Sequence, residues 1–94
     1  PPWDLTVKDG RKGITTAGTR EQLAANVNCH YVIVQANSAN TNGVWVGGAT
    51  VASGRGIRLA PTSAPLVLYV TNLNQVWVDT DTNGNEISYL YYAR

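Results

Sequence analysis

A chain of 94 residues with a net charge of +1 and only 14% charged residues is a single domain with an undercharged surface. Soluble domains ordinarily keep about a quarter of their residues charged, and a chain this short cannot bury a second core. Such a balance leaves no Lys and Arg cluster for tracking phosphates, and no apolar run approaches the length of a membrane helix.

The Pro1-Pro2 start has neither the basic nor the apolar region of a signal peptide, so synthesis in a cytosol is expected, with an initiator methionine removed. Leu5-Thr6-Val7-Lys8 alternates, and Asp9-Gly10 and Lys12-Gly13 then break the run with turn chemistry. This reads as a short first strand or an extended arm, dividing the chain into an arm over 1–13 and a body over 14–94. The segment 19–25 is the helical candidate, at most two turns long, with Thr19 and Gln22 at capping-box spacing; an extended conformation fits it equally well.

From there on the chain reads as strand. The runs 31–36, 44–46, 57–60, 66–70, 76–78 and 87–92 are β-branched or aromatic, and Gly, Asn, Ser and Pro separate them. The gaps hold no amphipathic stretch long enough for a crossover helix. The expected fold is therefore all-β: an antiparallel β-sandwich or jelly-roll-like small barrel with an extended N-terminal arm.

Two features point toward assembly. Between Gln22 and Asp79 the only charged residues are Arg55 and Arg58, and the surface left to Asn, Thr, Ser and Gly costs little to desolvate. In addition, Tyr31-Val32-Ile33-Val34 and Leu66-Val67-Leu68-Tyr69-Val70 are apolar on both faces, so something should cover the second face. Either the first and last segments fold over these strands, or a neighbouring subunit does.

Chemistry-bearing motifs are weak. Cys29 is the only cysteine and His30 the only histidine, which rules out an intrachain disulfide and leaves too little thiol and imidazole for a zinc site. Being adjacent, they would point to opposite faces of a strand and form no thiolate–imidazole pair. Residues 79–86, Asp79-Thr80-Asp81-Thr82-Asn83-Gly84-Asn85-Glu86, match the first half of a calcium loop, but the position that should supply a bidentate Glu falls on Leu90. A hairpin turned by Asn83-Gly84 in a type I′ turn is the expected structure there. No glycine-rich segment precedes a phosphate-binding helix, and no carboxylate pair is set for hydrolysis. No enzyme, cofactor or metal is expected.

The succession 34–47, Val34 through Val44-Trp45-Val46-Gly47, then Gly56-Ile57-Arg58-Leu59-Ala60-Pro61, then Leu73-Asn74-Gln75-Val76-Trp77-Val78-Asp79, resembles small β-sandwich virion proteins of tailed bacteriophages. The likeness covers roughly 14–92, and related modules occur in tail and fibre proteins. Asn42 standing between Thr41 and Gly43, and Thr62 after Pro61, depart from the pattern. The resemblance implies a capsid decoration, or cement, protein that is made in the host cytoplasm and stabilises the outer surface of the shell. Its partners would be the major capsid protein and itself, as a homotrimer, with no direct nucleic acid and no membrane. The candidate interface residues are Trp3, Leu5, Val7, Arg11, Lys12, Trp45, Arg55, Arg58 and Trp77. The arm would dock through Trp3, its Lys8, Arg11 and Lys12 meeting an acidic rim, and deleting 1–13 would leave a folded sandwich. The alternative is a tail or fibre receptor-binding module whose Trp and Tyr recognise host glycan.

Overall fold

The computed structural model describes residues 5–93, and Trp3 lies outside them. Eight strands follow one another: β1 (Thr6–Ile14), β2 (Glu21–Gln22), β3 (Val32–Ala36), β4 (Val44–Gly47), β5 (Ile57–Leu59), β6 (Leu66–Leu68), β7 (Trp77–Thr80) and β8 (Asn85–Ala93), with a 3-10 turn at Leu73–Gln75. They form two four-stranded sheets, a front sheet in the order β1-β8-β3-β6 and a back sheet in the order β2-β7-β4-β5. Every strand pair is antiparallel. The first strand pairs with the eighth, the second with the seventh, the third with the sixth and the fourth with the fifth. This nesting is what results when one long hairpin is rolled up, and it defines a jelly roll.

The core follows from side-chain alternation. Val32, Val34 and Ala36 of β3, Val44 and Val46 of β4, Val78 of β7 and Ile87 of β8 point inward and are buried together with Ile14, Leu59 and Val76. Each of the Val, Leu and Ile side chains contributes roughly 1.5–3 kcal/mol of burial. Leu23 and Leu73 join the same cluster. Leu73 is held by a capping box, in which Asn72 accepts from the Asn74 amide while the Gln75 side chain reaches back to the Asn72 amide.

Several expectations are corrected, and one open alternative is resolved. Residues 6–13 are not an arm. They belong to β1, paired along its whole length with β8 from Thr6↔Ala93 to Ile14↔Asn85. Gly10 and Gly13 do not break the strand; Gly10 leaves room for the Tyr89 ring, which a Cβ would meet at 2.5 Å. Deleting 1–13 would thus remove every residue of β1 except Ile14. The segment 19–25 takes the extended alternative, with Glu21 and Gln22 pairing with β7.

Residues 79–86 are not a hairpin, because β7 lies in the back sheet and β8 in the front one. The link 81–84 crosses between sheets. Gly84 has a positive φ of 84°, but Asn83 does not, so the type I′ geometry, which needs both, is not made. Finally, the terminal strands do not fold over β3 and β6. They extend the same sheet sideways and leave its outer face uncovered among the described residues.

Candidate functional site

The outer face of the front sheet is graded from aromatic to polar. Val7 lies opposite Tyr92, and the Tyr31 ring sits 4.9 Å from that of Tyr92 and 6.0 Å from that of Tyr69. One rung, Val7–Tyr92–Tyr31–Tyr69, therefore runs across the sheet, with Tyr31 just before β3 and Tyr69 just after β6. The next rung is Asp9–Leu90–Ile33–Val67, and the following one, Arg11–Ser88–Gln35, is polar. Tyr69 is 86% exposed, Val7 55% and Val67 43%. Large apolar side chains this accessible and contiguous mark a contact surface.

Hydrogen bonding to Tyr92 pushes the Tyr31 phenol above the ordinary tyrosine value. Loss of water around the ring and the charges that Tyr92 and Tyr69 would carry add to the shift. The raised value means that the unfolded chain ionises first as pH rises above about 10, so this contribution to stability is present below that pH and lost above it. Spectrophotometric titration should find two tyrosines in the parent titrating late, Tyr31 and Tyr89, and Tyr92→Phe should bring the first of them back toward the ordinary value. An unchanged number of late-titrating tyrosines in the variant would contradict the rung.

The flank where β1 faces the back sheet is closed from within. Lys12 Nζ donates to Glu21 Oε1 at 2.9 Å, joining the two sheets. Tyr89 and Tyr91 pack on the core with ring centroids 6.0 Å apart. Burial, and then Tyr91, push the Tyr89 phenol up. Arg11 lies 3.7 Å from Glu86. Lys12 is thus engaged in an ion pair within the chain.

At the tyrosine end of the molecule, Asn28, Cys29, His30 and Thr71 line an open cleft of about 490 Å³. Cys29 is buried and its Sγ donates to the Val70 carbonyl at 3.4 Å. Burial pushes its thiol up, away from the thiolate a nucleophile needs. In the 79–86 segment, Asp79 is buried and its Oδ1 accepts from the Gly18 and Thr80 amides at 3.0 and 2.7 Å. Among the described residues, no three His, Cys, Asp or Glu side chains are grouped to share a metal ion.

The back sheet presents a different outer face. The two near-identical phrases, Val44-Trp45-Val46 and Val76-Trp77-Val78, fall on neighbouring strands, with Trp45 opposite Asp79 and Trp77 opposite Gly47. The valines are buried, so both indoles face outward and are half-buried. Arg58 pairs with Trp45 from the other side, and its side chain lies across Gly43, where a Cβ would come within 2.7 Å of Nε.

The residues expected at an interface are therefore split between opposite faces. Val7 and Arg11 lie on the outer front face, with Leu5 just before β1. Trp45, Trp77 and Arg58 lie together on the outer back face. Arg55 stands apart from them in the turn before β5, bridged to Ala52. Sequence reasoning did not select Tyr31, Ile33, Val67, Tyr69, Leu90 or Tyr92, although the two-sided apolar runs contain the first four. No family model, curated protein or solved structure matches this chain. What fold and surfaces define is a small jelly roll whose aromatic sheet face is left uncovered among the described residues.

Proposed function

We propose that this protein is a non-enzymatic assembly module that docks on another protein through the outer face of its front sheet. The observation that carries the reading is the uncovered double rung of Val7, Tyr92, Tyr31 and Tyr69 over Leu90, Ile33 and Val67. Tyrosine anchors beside aliphatic side chains are the composition of binding hot spots. Together with the resemblance to phage virion proteins, this supports a decoration protein on the outside of a capsid, with the major capsid protein as partner and homotrimers on the shell. Jelly rolls recur among viral capsid domains, which is an analogy of fold alone.

The test is co-sedimentation with purified expanded shells of the parent phage. The parent protein should pellet with shells. The doubly substituted Val67→Lys, Tyr69→Ser protein should lose about 100-fold in affinity, the scale set by removing two anchors, with an unchanged melting temperature because both side chains are exposed. Undiminished binding would remove the front face from the contact. Failure of the parent to bind any shell would remove the capsid reading.

A further inference from the structure

We propose that the free edge of β1 pairs with the same edge of a second copy of this chain, antiparallel and with Gly10 on the two-fold axis, so that two four-stranded front sheets join into one. This contact is separate from the front-face contact. It governs the free protein, whereas the three-fold grouping proposed above belongs to the shell.

Geometry is the first support. The two sheets end on four edge strands, β1 and β6 in front and β2 and β5 behind. β2, β5 and β6 are only two or three residues long, and short edges offer little to pair with. β1 has nine residues. The direction of its main-chain groups follows from β8. Glu86 donates its N–H to Asn40 Oδ1 at 2.8 Å and accepts at its carbonyl from the Asn37 amide at 3.1 Å, and the Tyr92 carbonyl accepts from the His30 amide at 3.0 Å. All three bonds run toward the β3 side, away from β1. In an antiparallel ladder this direction alternates along the strand. Gly13 and Val7, opposite Glu86 and Tyr92, therefore turn their N–H and C=O groups outward, and so do Arg11 and Asp9 between them. Among the described residues none of these groups meets a partner.

The order of charges is the second support. With Gly10 on the axis, Val7 of one copy meets Gly13 of the other and Asp9 meets Arg11, each twice, for about eight main-chain hydrogen bonds. Sliding by two residues either way leaves about six and sets Asp9 against Asp9 or Arg11 against Arg11. Opposite charges facing across a strand pair favour it, and like charges oppose it. On the inner face Lys8 meets Lys12 of the other copy, whose Nζ already holds Glu21 at 2.9 Å, a carboxylate that offsets the repulsion. Charges along an edge ordinarily keep other strands away. Here their sequence makes the edge complementary to itself, as a two-fold interface requires.

Sedimentation velocity and amide hydrogen exchange test this on the full chain. The parent should sediment as a dimer at about 100 μM, with the Val7, Asp9, Arg11 and Gly13 amides exchanging about tenfold more slowly than in dilute solution. Asp9→Arg should weaken the dimer about tenfold, and so should Arg11→Asp. Both substitutions in one chain should restore it, because the facing charges are then exchanged but still opposite. Val67→Lys with Tyr69→Ser should leave the dimer intact. The proposal fails if the parent is anything but a dimer at that concentration, or if a dimer forms while those four amides exchange as in the monomer. It fails equally if Asp9→Arg pairs as well as the parent, if the double exchange does not restore pairing, or if the front-face variant loses it.

Discussion

Gly56→Ala is expected to destabilise this protein by about 3 kcal/mol, combining the penalty of a left-handed backbone with that of overpacking. Gly56 has φ +109°, and a Cβ there would lie 2.6 Å from the Val46 carbonyl oxygen and 2.9 Å from Val51 Cγ2. The oxygen belongs to the strand that pairs with β5, so it cannot retreat without breaking the ladder. Gly54 is the internal control. Its φ is also positive, +82°, but nothing lies within 4 Å of its would-be Cβ, so Gly54→Ala should cost only about 1 kcal/mol of backbone strain. For a domain of this size the larger loss corresponds to a fall in melting temperature of about 12–24 °C. Equal melting temperatures for the two variants would show that the close approach at Gly56 is not what the sequence protects.

Asn85→Asp, nearly an isosteric change, should cost more at neutral pH than any surface substitution. Asn85 is buried, its Nδ2 donating to the Thr41 carbonyl at 2.6 Å and to Thr80 Oγ1 at 2.9 Å, while its Oδ1 accepts from the Thr41 amide at 3.0 Å. A carboxylate in its place would turn an acceptor toward the Thr41 carbonyl and bury an unpaired charge, at a cost of about 3–5 kcal/mol. Burial raises the folded-state pKa of the introduced carboxyl above its unfolded value of about 3.9. The unfolded chain then ionises before the folded one, so the penalty is smallest below about pH 4 and grows as pH rises toward the folded pKa. Denaturant melts of parent and variant across that range check the slope. A constant difference would mean that the Asn85 amide is not the essential donor.

These two sites show where sequence reading succeeds and where it stops. The strands were legible because Val32, Val34, Val44, Val46 and Ile87 alternate with outward residues over short distances. Which sheet each strand joins was not. Asn83-Gly84 carries a strong local turn signal, yet β7 and β8 are claimed by β4 and β3 through long-range pairing that no dipeptide encodes. Gly10 misled in the same way, since a glycine under a tyrosine ring reads locally like a turn.

The shortage of charge has a cause that composition alone hides. Asn37, Asn40, Asn72 and Asn85 all bond backbone groups distant in sequence or at a chain turn. Part of the asparagine content is therefore internal scaffolding rather than open surface. The tyrosine rung was foreshadowed by the double-sided runs at 31–34 and 66–70, but its completion by Val7 and Tyr92 depends on β1 and β8 entering the same sheet.

β8 lies inside the front sheet, with β1 on one side and β3 on the other. Neither neighbour can close its ladder with β8 until residues 85–93 have been synthesised, so a nascent chain carries β1 as an unmatched strand until then. Folding is then a single event that waits for the ribosome to finish this segment, and stalling a few codons before it should leave a chain that proteases and chaperones treat as unfolded throughout.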